Sequence, residues 1–203
     1  MKDKIHFKRI LDMTLFKIKF LILTNLACLG VFGQSFDFVK ILPGKGIVYN
    51  NDSILLYKTT IKETCKILKI KYYSNSKFFS LRHWDGFIAE TGKSVSGVEY
   101  VRGVKFKSLD FDFSSESDRN DLKLKWIKVN EDNSLKVYTS DGLVLGMINP
   151  KIREIYTLIN KNDYISDDKL TYNLYSYGIS FHLVVEPNGS LKLSEISTHY
   201  KIE

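Results

Sequence analysis

Residues 175–196 read YSYGISFHLVVEPNGSLKLSEI. Apolar and polar residues alternate through Ile179, Phe181 and Leu183 and again through Leu191 and Leu193, the period of a strand with one buried and one wet face. Between the two runs, Glu186-Pro187-Asn188-Gly189 puts Pro and Gly at the second and fourth places of a type I turn. A hairpin of Ile179–Val185 with Leu191–Ile196 is predicted.

The pattern recurs upstream. Tyr175-Ser176-Tyr177-Gly178-Ile179-Ser180-Phe181 matches Tyr100-Val101-Arg102-Gly103-Val104-Lys105-Phe106, and Leu191–Ile196 matches Leu122–Ile127. Before them, Asp141–Leu145 matches Asp52–Leu56 in a register that sets Asn149 on Thr60. Four anchors in one order define two tandem copies of a unit. Thr60 with Glu63 three places on reads as a capping box, and Asn149 before Pro150 as an N-cap followed by proline at the first helical position. Ile61, Cys65 and Leu68 mark the apolar face of the first helix; Ile152, Ile155, Tyr156 and Ile159 mark that of the second, each about three turns long.

Ser140-Asp141-Gly142 is read as a turn joining Leu135–Thr139 to Leu143–Gly146. The alternation of Val104 and Phe106 slips phase at Ser108 before Leu109, Phe111 and Phe113, which predicts a β-bulge or a bend. The expected class is α+β, two tandem copies of a short helix packed on an antiparallel sheet. A signal segment at 1–33 precedes the first unit at 34–130 and the second at 131–203, with the joint near Asn130-Glu131-Asp132-Asn133-Ser134.

Leu145-Gly146-Met147, a helix over Ile152–Ile159, then Tyr175-x-Tyr177-Gly178-Ile179-x-Phe181 and a strand ending at Ile196 resemble the pattern of small exported domains of the β-lactamase-inhibitor-like and outer-membrane small-protein-A type. The resemblance spans about residues 143–196. It implies a short helical layer on a small antiparallel sheet, and roles in protein binding and envelope scaffolding rather than catalysis.

The N-terminus carries its own message. Six Lys or Arg residues lie within 1–19, followed by a charge-free run from Phe20 to Gly33, a basic n-region before a short apolar h-region. The run is shorter than the roughly 20 residues of a membrane-spanning helix, and Lys17 and Lys19 block its extension. Val31 and Gly33 fit the small subsites of a signal peptidase, placing cleavage near Gly33–Gln34 and the mature chain in the periplasm or outside the cell. Translation from Met13 instead of Met1 would shorten the n-region. Leu26-Ala27-Cys28 offers a rival reading as a lipid anchor, but Asn25 stands where a lipobox wants an apolar residue, so soluble secretion is expected.

The net charge of +7 then divides unevenly. Residues 1–33 hold six basic and two acidic residues, leaving 24 basic and 21 acidic in the mature chain, a net +3. That balance gives little support to nucleic-acid binding.

Chemistry is sparse. His6, His83, His182 and His199 share no helix at metal-ligand spacing, and there is no Cys-x-x-Cys, so neither a metal nor a cofactor is expected. Cys65 lies on an apolar helical face and reads as core. No Gly-x-Ser-x-Gly elbow occurs, and Pro43-Gly44-Lys45-Gly46 reads as a turn rather than a phosphate loop. No catalytic residue is assigned.

The stretch Tyr72–Gly97, read as a long loop, is rich in aromatics with Arg82 among them. Phe79, Arg82, Trp84 and Phe87 are expected to form a binding surface; the competing reading makes their segment another strand or helix with core aromatics. The function expected is that of an exported non-catalytic binding protein with a protein partner, an envelope accessory or an inhibitor- or immunity-type module. The alternatives are an exported hydrolase built around His83, Asp85 or His182, and binding to an anionic surface.

Overall fold

The predicted hairpin forms the middle of a large sheet. In a computed structural model that describes residues 37–73, 80–88, 93–117 and 121–201, β11 (Ile179–Val185) pairs antiparallel with β12 (Leu191–His199). The turn closes through Gly189 N–H to the Glu186 carbonyl at 2.8 Å, with Gly189 at φ +82°. β12 is longer than predicted and pairs on its other edge with β7 (Lys123–Asn130).

The remaining strands order themselves around this pair. β4 (Ser80–Ile88), β5 (Lys93–Phe106) and β6 (Leu109–Ser115) run as a meander into β7, while β10 (Thr171–Leu174) and β9 (Tyr164–Ile165) follow β11 outward. The eight-stranded order is β4-β5-β6-β7-β12-β11-β10-β9. A second sheet has four strands, β3-β2-β1-β8, where β1 (Asp37–Leu42), β2 (Gly46–Tyr49) and β3 (Asp52–Leu55) form a meander and β8 (Leu135–Thr139) pairs parallel with β1.

One core serves both sheets. Ile41, Ile47 and Ile54 of the small sheet share a buried cluster with Phe111, Leu124 and Phe181 of the large one. Each such side chain contributes about 1.5–3 kcal/mol on burial. Asp37–Glu203 forms one compact unit, with the β1–β8 and β7–β12 pairings crossing position 130.

The α+β expectation does not hold. The protein is mostly β, with twelve strands and two short helices among the described residues, and no pair of helix-on-sheet units. α1 (Ile61–Ile67) follows the predicted capping box: the Thr60 hydroxyl accepts from Glu63 N–H while the Glu63 carboxylate accepts from Thr60 N–H at 2.8 Å. Cys65 is buried there as a free thiol. α2 (Ile152–Ile155) is a single turn, because Asn149 sits at φ +47° and accepts Leu191 N–H on its side-chain oxygen instead of capping a helix. Tyr156 is already extended, and Ile159 is solvent-exposed.

The matched Tyr-x-x-Gly motifs adopt different structures, since Gly103 lies inside β5 whereas Gly178 lies in the turn before β11 at φ +71°. The slip at Ser108 is a tight hairpin turn, with Phe106 opposite Leu109, and the register shift lies instead between Asp112 and Phe113. After the Ser140–Gly142 turn the chain returns beside β8 through a single bridge, Tyr138 with Val144. The segment read as a loop, Tyr72–Gly97, holds β4 and the start of β5. The expected signal segment 1–33, with Cys28 and the Gly33–Gln34 bond, lies outside the described residues. Among the described residues no helix is long and apolar enough to cross a membrane.

Candidate functional site

One face of the large sheet packs on the core; the other carries the polar half of each alternation. In β6, Leu109, Phe111 and Phe113 point inward, which leaves Asp110 and Asp112 on the outer face. Cross-strand pairing then lines up Gly103, Asp112, Trp126 and His199 in one row across β5, β6, β7 and β12. Lys105, Asp110 and Lys128 form the next row. Between and above these rows lies a concavity of about 800 Å³, within the size range of small-ligand sites.

Two features open its floor. Gly103 is a strand-interior glycine with no positive φ, and a Cβ built on it would meet nothing within 4 Å. Two strands away in the same row, across Asp112, stands the half-buried Trp126, whose indole stacks on the His199 ring at 4.6 Å and 27°. Tyr175 tilts over the same imidazole at 5.0 Å. At the mouth, Tyr57 meets Tyr200 edge-on at 5.2 Å. Tyr57 adopts φ +60°, a left-handed conformation costly for a bulky side chain, and its N–H donates to the Leu124 carbonyl at 2.8 Å.

The charges in the groove are matched. Arg82 bridges Glu99 at 2.6 Å and Asp112 at 2.9 Å, and Lys105 pairs with Asp110 at 3.4 Å. Lys128 meets Glu195 at 3.0 Å. Burial alone would raise the Glu99 pKa, but the nearby Ser114 hydroxyl and the hydrogen-bonded Arg82 guanidinium outweigh it and hold the carboxyl below its ordinary value.

His199 is almost fully buried, and that burial lowers its pKa and favours the neutral ring. Its Nδ1 faces the Tyr200 carbonyl at 3.0 Å, an acceptor only, so Nδ1 carries the proton and Nε2 accepts from the Ser180 hydroxyl at 3.0 Å. That is the spacing of a nucleophile and its base, yet Ser180 is itself buried and two aromatic rings cover the imidazole.

Of the residues singled out in the sequence, Arg82 lines this groove. Phe79 lies outside the described residues, and Trp84 and Phe87 are placed in β4 by register, opposite Gly97 and Ser94. His83 is exposed on β4, paired in register with Val98, and Asp85 is opposite Ser96. His182 is exposed with its Nδ1 3.1 Å from the Thr171 hydroxyl, so the structure does not bring His83 and His182 together with the groove.

Sequence reasoning missed Gly103, Trp126, His199 and Tyr57. A signal for Trp126 was present: Leu124 and Ile127 are both inward yet three places apart, which requires an extra residue in β7 and turns Trp126 to the outer face. Among the described residues, no group of three or more His, Cys, Asp or Glu side chains could hold a metal ion. Neither protein-family models, nor curated proteins, nor solved structures give a match to this chain.

Proposed function

We propose that this protein is an exported, non-catalytic binding protein whose ligand lies in the groove on the outer face of the eight-stranded sheet. The observation that carries the reading is the gap over Gly103 in the groove whose row also holds the Trp126 indole. A glycine inside a strand weakens it, and this one is required neither by a turn nor by a close backbone approach. What its missing side chain supplies is room. The left-handed Tyr57 at the mouth is a second local cost on the same surface.

Binding is favoured over the alternatives by particular residues. A hydrolase would need a reachable nucleophile, and the Ser180–His199 pair is covered. An anionic surface would need surplus cations, and each cation lining the groove has a carboxylate within 4 Å, Lys125 included at 3.9 Å from Glu116.

The test is thermal. Low-molecular-mass filtrate of a cell-envelope extract should raise the melting temperature of the full chain by about 5–10 °C when its ligand is near 100 times Kd. Gly103→Val should respond less or not at all. An equal rise in both proteins would place the ligand elsewhere, and no rise in either with a concentrated filtrate would remove the reading.

A further inference from the structure

We propose that the groove takes a neutral saccharide, its sugar units running from the Trp126 indole across Asp112 into the slot over Gly103. This rests on the groove being the binding site, and it names the ligand class.

The chemistry required of an occupant can be read from the walls. His199 covers one face of the Trp126 indole. On the opposite side, the row continues to Asp112 and then to Gly103, where a Cβ would find open space. An occupant that reaches from that slot to Trp126 therefore needs an apolar flat face to set against the aromatic platform. Directly around the slot are the Asp112 carboxylate and the Arg82 guanidinium, with Asp110 and Lys105 in the neighbouring row. These groups are partly exposed and keep unused lone pairs and N–H donors beyond their ion pairs. A purely apolar occupant would strip water from them with nothing in exchange.

Charge narrows the class further. Glu99 and Asp112 share Arg82, Asp110 has Lys105, Lys128 has Glu195, and Lys125, 3.9 Å from Glu116, also acts on Glu99, so Arg82, Lys105, Lys125 and Lys128 stand against Glu99, Asp110, Asp112 and Glu195. With cations and carboxylates equal in number, neither a phosphate or sulfate nor an ammonium group meets a net opposite charge there. The occupant is thus uncharged, apolar on one face and rich in donor–acceptor groups around its edge. A pyranose ring has that make-up: its C–H face sets against indole, and its adjacent hydroxyls both donate to carboxylates and accept from guanidinium. Tyr57 and Tyr200 at the mouth extend the aromatic surface, which favours a chain of sugar units over a single one.

The test is calorimetric titration of the full chain with purified neutral cello-, malto-, xylo- and chito-oligosaccharides, beside a panel of short peptides. Trp126 is one of two tryptophans, so Trp84→Phe leaves indole emission reporting on Trp126 alone. The expected result is binding of at least one saccharide series, a change in emission of Trp84→Phe on binding, and affinity lower by about tenfold or more in Gly103→Val and Tyr57→Gly. Neither variant removes a core side chain, and Tyr57→Gly relieves a left-handed backbone, so circular dichroism should show both folded. Peptide binding that Gly103→Val abolishes, with no saccharide bound, overturns the saccharide and leaves the groove as the site. Saccharide binding unchanged in Gly103→Val overturns the slot, and no binding to either panel overturns the ligand class.

Discussion

The backbone N–H of Gly44, in the turn between β1 and β2, donates to the carbonyl of Gly178, in the turn before β11, at 3.0 Å. The same carbonyl accepts the His199 N–H at 3.0 Å, and the Thr198 hydroxyl lies 3.1 Å from it. Here the small and the large sheet meet backbone to backbone. A Cβ on Gly178 would stand 2.4 Å from the Gly44 Cα and 2.5 Å from the His199 carbonyl oxygen, at a φ of +71°.

Gly178→Ala should therefore lose about 3 kcal/mol or more in urea unfolding, since rigid backbone on both sides must shift. Gly142→Ala is the control: its φ is +91° but nothing lies within 4 Å of the added carbon, so it should lose only the left-handed penalty of about 1–2 kcal/mol. Equal losses would show that the dihedral, and not the contact between the sheets, sets the requirement for glycine at 178.

Two glycines matched in the sequence mark where sequence patterns stop being informative. Gly103 and Gly178 occupy one place in a shared Tyr-x-x-Gly-x-x-Phe pattern, yet one continues a strand and the other ends a turn. Alternation is a property of any half-buried strand, so two unrelated strands match as readily as two repeats. What was legible was local: the Glu186–Gly189 turn and the Thr60–Glu63 capping box are each settled within four residues. The second helix failed because a long-range partner intervened, with Leu191 and Asn149 exchanging hydrogen bonds at 2.6 and 2.9 Å. The site was hidden for a related reason. Trp126 and His199 meet only because β12 runs past Ile196 to pair with β7, 73 positions away in the chain at the row they share.

His199 gives the fold a pH dependence of known sign. Burial lowers its pKa, so below the unfolded value of about 6.5 the unfolded chain takes up a proton that the folded chain refuses. The contribution is complete above that pH and declines as pH falls from about 6.5 toward the depressed folded value. In that window the unfolding free energy should drop by up to about 1.4 kcal/mol per pH unit from this group. His199→Gln should flatten the slope below about pH 6.5, read from denaturant midpoints at several pH values. An unaltered slope would assign the effect to other groups.

Arg82 makes a different prediction, because its two partners are unequally buried. The Glu99 side chain is 11% exposed and that of Asp112 31%. Arg82→Ala strands the Glu99 charge with little access to water and should cost about 1–2 kcal/mol, reduced from the fully buried case by the exposure of Arg82 itself. Glu99→Gln added to Arg82→Ala should recover most of that loss, giving a coupling in a double-mutant cycle. Additive losses would mean that the bridge contributes nothing beyond its separate side chains.

Gly103 should behave in the opposite way to Gly178. Its backbone is ordinary strand and its missing side chain faces open space, so Gly103→Val replaces a poor strand residue with a good one. The expected gain is about 0.5–1 kcal/mol, or a melting temperature higher by about 1–4 °C. A residue that lowers stability where a common alternative would raise it calls for a reason outside the fold, and the groove beside Trp126 supplies one. A destabilised Gly103→Val would instead mean that the strand needs glycine there for packing, and the slot would lose its functional explanation.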